Sequence, residues 1–92
     1  MKTFKDLDFK EDLDLKKYGF NKKQAKLIFN NDYEVSVITG YGSYGNDNNP
    51  YELAVLYKGV LDYDNIVTNG DVRGYLNEEE VTELMIEVQK FK

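Results

Sequence analysis

Apolar residues recur at the spacing of one helical face near the C-terminus of this chain. The residues with this spacing are Val81, Leu84, Met85, Val88 and Phe91. Asn77 stands before them as a candidate N-cap, and Glu80 follows three residues later, as in a capping box. Such a stripe along one face is typical of a helix that packs against a core. The pattern therefore predicts a helix over 78–90.

Upstream, residues with high β-propensity form three longer runs. Residues 25–29 and 33–38 flank the turn-forming cluster Asn30-Asn31-Asp32, so this stretch predicts a β-hairpin. Residues 51–57 have the alternation of a third strand, whose odd-numbered side chains are expected to face the core.

Weaker signals surround these runs. Short β-prone pieces occur at 60–63, 66–68 and 71–75. The dipeptide Asn69-Gly70 favours a tight turn before the last of them. The apolar residues of the N-terminal segment fit neither the helical nor the strand period, and a short helix is predicted within 10–18.

These elements predict an α+β fold in a single domain, because 92 residues bury enough surface for one core. Consecutive strands joined by short turns pair as neighbours, so an antiparallel meander of about four strands is expected. A C-terminal helix should pack on one face of this sheet, and a short N-terminal helix should precede it. The expected parts of the domain 1–92 are a basic N-terminal segment at 1–26, an antiparallel sheet at 27–75 and a capped C-terminal helix at 76–91.

The charge of the chain is unevenly distributed. It has 12 Lys and Arg against 17 Asp and Glu, hence a net charge of −5. Residues 1–26 contain eight Lys and five acidic residues, whereas residues 27–92 contain three Lys, one Arg and twelve acidic residues. The acidity therefore belongs to the C-terminal two-thirds, and the basic patch of a nucleic-acid-binding domain is not evident.

The chain contains neither His nor Cys. Cysteine is needed for disulfides and thiolate metal sites, and His is the commonest general base and metal ligand. We therefore expect a protein without enzymatic activity, metal or cofactor. No apolar run approaches the ~20 residues of a transmembrane helix. The N-terminus also lacks the apolar region of a signal peptide, so a cytoplasmic location without membrane contact is expected.

Residues 40–45 match the sequence motif GxGxxG of a dinucleotide-binding loop. That motif requires a helix directly after the loop, because the helix N-terminus holds the pyrophosphate. Here residues 46–50 lead into the predicted strand at 51–57 instead. The glycines are therefore interpreted as giving a long hairpin loop its backbone freedom, and nucleotide binding is not expected.

The loop at 40–50 combines Tyr, Gly, Asn and Ser, a mixture that is typical of binding loops. Tyr supplies amphipathic contact area, while Gly and Asn supply adaptable hydrogen bonds. Tyr41, Tyr44 and Asn48 are therefore candidate anchors for a partner protein. The alternative is that the two tyrosines fold back over the edge of the sheet and close a small satellite core.

Four carboxylates extend this hypothesis, because exposed Asp side chains can replace phosphates on a Lys- and Arg-rich surface that binds nucleic acid. The candidates are Asp47, Asp62, Asp64 and Asp71. One alternative is that the acidity only keeps the protein soluble. Another is a Mg²⁺ or Ca²⁺ site at Asp62 and Asp64, where the spacing of an EF-hand loop is absent and a turn is favoured.

Three motifs occur in order along residues 27–90: SYG at 43–45, YELAVL at 51–56 and GYLNEEEV at 74–81. Together they resemble a family of small uncharacterised phage and prophage proteins, in which Gly usually stands at the position of Asp32. Small phage proteins commonly bind and block a host enzyme or defence complex, anti-CRISPR proteins being one such class. The resemblance therefore implies an inhibitor that acts in the cytoplasm of an infected bacterium.

The expected function is that of a non-enzymatic protein that binds and inhibits a bacterial host or defence protein, by acidic competition with nucleic acid. The partner would itself bind nucleic acid, whereas direct nucleic-acid binding by this chain is not expected. A monomer or a homodimer fits this function. The alternative is a small structural or assembly component, such as a virion accessory protein, that self-associates through an exposed strand edge.

Overall fold

An antiparallel sheet of six strands forms the body of the protein in the computed structural model, which describes residues 1–92. The strands are β1 (Lys10–Glu11), β2 (Lys22–Ile28), β3 (Tyr33–Gly40), β4 (Tyr51–Tyr57), β5 (Val60–Leu61) and β6 (Arg73–Leu76). A 3-10 turn covers Phe4–Asp6, and the helices are α1 (Leu13–Lys17) and α2 (Glu78–Gln89). Neither helix has the length and apolar composition needed to cross a membrane. The predicted α+β class is confirmed.

Strands β2 and β3 form the predicted hairpin. The first strand begins at Lys22, earlier than its apolar pattern indicates. In the connecting turn, the backbone N–H of Phe29 donates to the carbonyl oxygen of Tyr33 at 2.8 Å. Asp32 has a φ of 69°, a left-handed conformation that Asp tolerates better than most residues.

The strand order departs from a simple meander after β4. Strands β1 to β5 pair as neighbours in chain order, but β6 returns to pair with β4. Leu61 of β5 pairs with Leu56, and Leu76 of β6 pairs with Tyr51. Because β3 occupies one edge of β4, these two short strands lie one after the other along its outer edge. The connection at 62–72 therefore follows that edge.

The β-prone stretch 66–68 forms a turn instead of a strand, and the buried side chain of Asn65 explains this. Its Oδ1 accepts hydrogen bonds from the backbone N–H groups of Val67 at 3.0 Å and Thr68 at 2.8 Å. Its Nδ2 donates to the carbonyl oxygen of Asp62 at 2.7 Å and to Thr68 Oγ1 at 2.8 Å. Such local side-chain bonds compete with the ladder of a sheet, so the segment closes on itself.

Helix α2 covers one face of the sheet and forms the core with it. Its side chains Val81, Met85 and Val88 are fully buried. The strands contribute the fully buried Val35, Val37, Leu53 and Val55. The prediction that the odd-numbered side chains of β4 face the core is therefore confirmed for Leu53 and Val55. Burying one such side chain stabilises the fold by about 1.5–3 kcal/mol.

The N-terminal segment packs against the same core. Phe4, Leu7 and Phe9 are half-buried there, and the Phe4 ring meets the Tyr51 ring edge-on, with 5.1 Å between centroids. The backbone N–H of Phe4 donates to Thr82 Oγ1 on α2 at 3.0 Å. Residues 1–9 and α2 therefore share the layer that covers this face, and no helix packs on the opposite face.

Helix α1 lies within the predicted range 10–18. Asp12 caps it, because its Oδ1 accepts a hydrogen bond from the backbone N–H of Leu15 at 3.1 Å. The helix ends before Gly19, which has a φ of 84°. It connects β1 to β2 at the edge of the sheet.

The hairpin turn also stabilises the end of α2, through Asn31. Its Nδ2 donates to the carbonyl oxygens of Val88 at 3.0 Å and Phe91 at 2.9 Å, and its Oδ1 accepts from the backbone N–H of Tyr33 at 3.2 Å. Replacing Asn31 with Ala should lower the free energy of unfolding by about 1–3 kcal/mol, because several partly buried groups lose their partner. Urea denaturation followed by circular dichroism measures this loss.

The neighbouring Asn30 provides a matched control. It is exposed, and its side chain forms no hydrogen bond within the protein, so Asn30→Ala should change stability by less than about 0.5 kcal/mol. Equal losses in the two variants would contradict the proposed contribution of Asn31.

Candidate functional site

Four aromatic side chains are exposed at the end of the sheet where β3 connects to β4. They are Phe20, Tyr41, Tyr44 and Tyr75, whose exposed fractions are 41%, 52%, 61% and 55%. We refer to these four residues as the aromatic end. Single exposed aromatics are common on protein surfaces, whereas several at one end of a small domain are typical of a contact surface.

One half of the aromatic end joins the loop at 41–50 to the segment before β2. The rings of Phe20 and Tyr41 stack with 4.2 Å between centroids and 28° between their planes. The backbone N–H of Tyr41 donates to the carbonyl oxygen of Asn21 at 2.6 Å. A Cβ atom at Gly40, where φ is 96°, would overlap the backbone of Asn21. Glycine is therefore required at position 40, where the backbones of the two segments are in close contact.

The other half joins the same loop to β6. The backbone N–H of Tyr75 donates to the carbonyl oxygen of Tyr44 at 2.8 Å. At Gly74 an added Cβ would lie 2.5 Å from Tyr44 Cβ, so only glycine lets the two chains approach this closely. The pairing of β4 with β6 is irregular here, with a register shift between Tyr51 and Leu53.

Tyr75 has a φ of 58°, which is uncommon for a bulky residue. This conformation aligns its N–H with the loop and leaves more than half of its side chain exposed. Backbone strain of this kind is often found at functional sites. Tyr75 was not among the candidates from the sequence, because an aromatic residue in a β-prone run gives no sign of a left-handed conformation.

Hydrogen bonds within the loop order its tip. The side-chain oxygen of Asn46 accepts from the backbone N–H groups of Asn48 at 3.1 Å and Asn49 at 2.8 Å. The backbone N–H of Asn46 donates in turn to the carbonyl oxygen of Asn49 at 3.1 Å. The candidates Asp47 and Asn48 lie in this turn and are both exposed. The loop therefore has a defined shape although it contains no regular secondary structure.

The structure leaves the two candidate tyrosines accessible rather than folded into a satellite core. Tyr44 and Tyr41 are both more than half exposed. Tyr41 stacks on Phe20, which is itself exposed, so this pair covers no buried cluster.

The remaining candidate carboxylates lie on the connection 62–72, along the outer edge of β4. Asp62 is anchored beside Val55, whose carbonyl oxygen accepts its backbone N–H at 2.9 Å. Asp62 and Asp64 border a hollow of about 470 Å³ that Tyr33 and Phe91 also line. Asp71 lies at the other end of this connection, so the structure brings only this Asp towards the loop at 41–50.

A buried carboxylate, Glu52, lies between Asp71 and the loop. Only 6% of this residue is exposed, and burial raises the pKa of its carboxyl. A hydrogen bond from the backbone N–H of Tyr44 lowers this pKa. The negative charge of Asp71 raises the pKa, and the positive charge of Lys22 lowers it. The alternation of β4 places Glu52 away from the core, and nothing in the sequence indicates that the loop covers it.

The acidic candidates are not arranged as a metal site. Asp62 and Asp64 are joined by a turn, in which the backbone N–H of Asp64 donates to Asp62 Oδ1 at 3.0 Å. Nowhere in the chain do three acidic side chains come close enough to hold a metal ion. Residues 62–65 form a bend at the surface of the protein.

The two edges of the sheet differ in net charge. The edge formed by β1, α1 and β2 contains more basic than acidic residues, which are Lys10, Lys16, Lys17, Lys22, Lys23 and Lys26 against Glu11, Asp12 and Asp14. The opposite edge, beyond β4, contains Asp62, Asp64 and Asp71 against Arg73. The first edge is therefore positive on balance and the second is negative.

Comparison of the chain with protein-family models, with curated proteins and with solved structures found no match. The resemblance to small phage proteins therefore stays a prediction.

The left-handed backbone conformation of Tyr75 can be tested by comparing the stability of two substitutions at this position. At a left-handed position a Cβ atom costs about 1–2 kcal/mol that glycine avoids. Tyr75→Gly should therefore be about 1 kcal/mol more stable than Tyr75→Ala after allowing for the greater freedom of unfolded glycine. Chemical denaturation of the two variants measures this difference.

Tyr57 serves as the control, because it lies in β4 with an ordinary negative φ and is also partly exposed. At this position the order should reverse, with Tyr57→Ala more stable than Tyr57→Gly. The same order at both positions would refute the strained conformation of Tyr75.

Burial of Glu52 generates a pH-dependent prediction. Because its carboxyl binds a proton more tightly in the folded than in the unfolded protein, its contribution to stability decreases as the pH rises from the ordinary pKa of 4.5 through the folded pKa. Glu52→Gln should therefore raise the melting temperature at pH 7. The difference in melting temperature between the variant and the wild type should shrink at lower pH, because Glu52 then becomes protonated in both the folded and the unfolded wild type.

Thermal melts between pH 3.5 and 7 test this expectation, with Glu83→Gln on an exposed position of α2 as the control for loss of one negative charge. That control should change stability by less than about 0.5 kcal/mol. A Glu52→Gln variant that is less stable than the wild type at pH 7 would show that the ionised carboxylate is favourably bound.

Proposed function

We propose that this protein is a non-enzymatic binding module whose main contact surface is the aromatic end. The observation that carries the proposal is the exposure of four aromatic side chains on segments held together by backbone hydrogen bonds. These bonds join Tyr41 to Asn21 and Tyr75 to Tyr44. The contact surface is therefore largely formed before a partner arrives.

Such preorganisation favours affinity. A flexible loop loses conformational freedom when it binds, whereas a loop ordered in the free protein has already lost most of that freedom during folding. Tyr side chains combine a large contact area with few rotatable bonds, and their hydroxyl groups remain available for hydrogen bonds. Tyr44 and Tyr75 supply this combination next to each other, and Asp47 and Asn48 add polar groups at the tip of the loop.

The acidic groups near the aromatic end indicate the kind of partner. Asp47 is on the loop, and Asp71 approaches it from the outer edge of β4, beside the buried Glu52. On the other side of the aromatic end, Phe20 shares a hollow with Lys16, Lys22 and Lys23. The acidic contact is therefore proposed for the side of Tyr44 and Tyr75. Together with the net charge of −5, they favour a partner with exposed Lys and Arg side chains. We propose a bacterial host or defence protein that binds nucleic acid, which this protein inhibits by occupying the same basic surface, as anti-CRISPR proteins do.

Asp62 and Asp64 contribute to this proposal only through long-range attraction. They lie further along the outer edge of β4 than Asp71, beside the hollow bordered by Tyr33 and Phe91. A partner that contacts the aromatic end would meet Asp71 first. The proposed contact surface therefore consists of the aromatic end with Asp47, Asn48 and Asp71.

Replacing Tyr41 and Tyr44 together with Ala should lower the affinity for the partner at least tenfold and leave the fold intact, because both side chains are exposed. Affinity capture with tagged protein from a bacterial lysate identifies the partner, and titration with the purified partner measures the affinity. Tyr63→Ala is the matched control, since Tyr63 is as exposed as Tyr44, at 61%, but lies on the connection 62–72.

The capture is repeated after nuclease treatment and at 500 mM salt. The proposal expects a partner that survives nuclease treatment, is released by salt and is displaced by added DNA or RNA. A folded Tyr41 and Tyr44 double variant with wild-type affinity would exclude the aromatic end. Capture that is lost with nuclease treatment would show that nucleic acid, and not the protein surface, makes the contact.

A further inference from the structure

The segment before β6 contains Asn69-Gly70, a dipeptide whose chemistry differs from that of every other Asn in the chain. The other eight Asn residues precede residues that have a side chain. The carboxamide of an Asn can be attacked by the backbone nitrogen of the next residue, which closes a five-membered succinimide ring. A side chain on that next residue hinders the attack, whereas glycine leaves its nitrogen open and its backbone free to turn. The sequence therefore distinguishes Asn69 as the most reactive Asn.

The structure leaves both reacting groups of this dipeptide free. Asn69 is exposed, and its side-chain amide forms no hydrogen bond within the protein. The backbone N–H of Gly70 has no acceptor either. A Cβ atom added at Gly70 would meet nothing within 4 Å, so this position is open to solvent.

The backbone around the dipeptide permits the approach of the two groups. Two hydrogen bonds lie beside it, from the N–H of Asn69 to the carbonyl oxygen of Asn65 at 3.1 Å and from Thr68 Oγ1 to the carbonyl oxygen of Gly70 at 2.9 Å. Neither bond holds the Asn69 side chain or the Gly70 nitrogen. Rotation about the Asn69 Cα–C bond brings this nitrogen to Cγ, and residues 69–72 lie outside the helices and strands. Only a local opening is therefore needed.

Other exposed Asn residues lack this combination. Asn48 precedes Asn49, whose backbone N–H donates to Asn46 Oδ1 at 2.8 Å. Asn30 precedes Asn31, whose side chain is held at the end of α2 by two hydrogen bonds. In both pairs the second residue also has a Cβ atom. Asn30 and Asn48 are therefore internal references for the reactivity of Asn69.

We infer that Asn69 is a self-modification site, at which this Asn converts to aspartate and isoaspartate without an enzyme. The Gly70 nitrogen loses its proton to solvent base and forms a bond to Asn69 Cγ. The bond from Cγ to Nδ2 breaks, and Nδ2 takes up a proton and leaves as ammonia. One water molecule then opens the succinimide. Attack of this water at Cγ gives aspartate, whereas attack at the main-chain carbonyl carbon gives isoaspartate, in which the backbone runs through Cβ and Cγ.

Both products change the segment that leads into β6. Each adds one negative charge beside Asp71. Isoaspartate also lengthens the main chain by one methylene group between Thr68 and Gly70. Thr68 is buried and bonded to the Asn65 side chain, so the added length displaces the residues after position 69 and not the turn before it.

The displacement extends towards the aromatic end, because β6 begins three residues after Gly70. In β6 the backbone N–H of Tyr75 donates to the carbonyl oxygen of Tyr44, and this bond attaches the loop at 41–50. Formation of isoaspartate should therefore loosen one of the two attachments of the loop, whereas the added charge alone should not.

The modification is measured by incubating the full-length protein at pH 8 and 37 °C and mapping its tryptic peptides by tandem mass spectrometry. Cleavage after Lys58 and Arg73 places Asn69 in a peptide where Asn65 is the only other Asn. Asn69 should gain one mass unit at least tenfold faster than Asn30 and Asn48. Part of the product should be a substrate for isoaspartyl methyltransferase, which shows that the Gly70 nitrogen was the attacking group.

Two variants test the assignment of the reacting atoms. Gly70→Ala should slow the reaction at least tenfold, because the added Cβ hinders the nitrogen. Gly70 has a φ of 146°, so circular dichroism checks that this variant is folded. Asn69→Gln retains Gly70 and should gain no mass in the peptide, because the longer side chain would have to close a six-membered ring.

The structural effect is measured by hydrogen exchange of the ¹⁵N-labelled isoaspartate form, separated by ion-exchange chromatography. The Tyr75 amide should exchange at least tenfold faster than in the unmodified protein. Asn69→Asp is the matched control, since it adds the charge without the methylene group, and its Tyr75 amide should exchange as in the wild type.

Three results would overturn the inference. One is equal reaction at Asn69, Asn30 and Asn48. Another is a reaction at Asn69 that is more than tenfold slower in the folded protein than in guanidinium chloride, which would show that the fold protects this residue. The third is unchanged exchange of the Tyr75 amide in the isoaspartate form. None of these measurements uses a partner, so failure of the proposed function would leave this inference unaffected.

Discussion

The packing of α2 against the centre of β3 and β4 is the contact on which the other features of this protein depend. The largest fully buried side chains of the core come from these three elements. The helix is fixed at both ends: the Asn77 and Glu80 capping box holds its start, and Asn31 binds carbonyl oxygens at its end. Because one helix and the N-terminal segment cover one face only, the other face and both ends of the sheet remain available for contacts.

The elements around this core are held mainly by backbone hydrogen bonds and by glycines at close approaches. Gly40 and Gly74 occupy positions where a side chain would meet neighbouring atoms, and each allows the loop at 41–50 to contact another segment. The loop therefore has two attachment points although it is far from the core. This explains how an exposed segment without regular secondary structure can present aromatic side chains in fixed positions.

The parts of the fold that could be predicted from the sequence are those determined by local patterns. The capping box and the apolar spacing identified α2, and the turn cluster at 30–32 identified the hairpin. The return of β6 to β4 was not predicted, because it depends on the turn that Asn65 organises and not on alternation. The burial of Glu52 and the conformation of Tyr75 were missed for a related reason, since both result from contacts with the loop at 41–50. Of the candidate site residues, the structure groups Tyr41, Tyr44, Asp47 and Asn48, while Asp62 and Asp64 lie elsewhere.

Helix α2 contains five Glu residues and no basic one, whereas the edge formed by β1, α1 and β2 has an excess of Lys. The surface of this small domain is therefore uneven in charge. An electric field from another charged molecule exerts a torque on such a distribution as well as a force, so collisions are not equally frequent in every orientation.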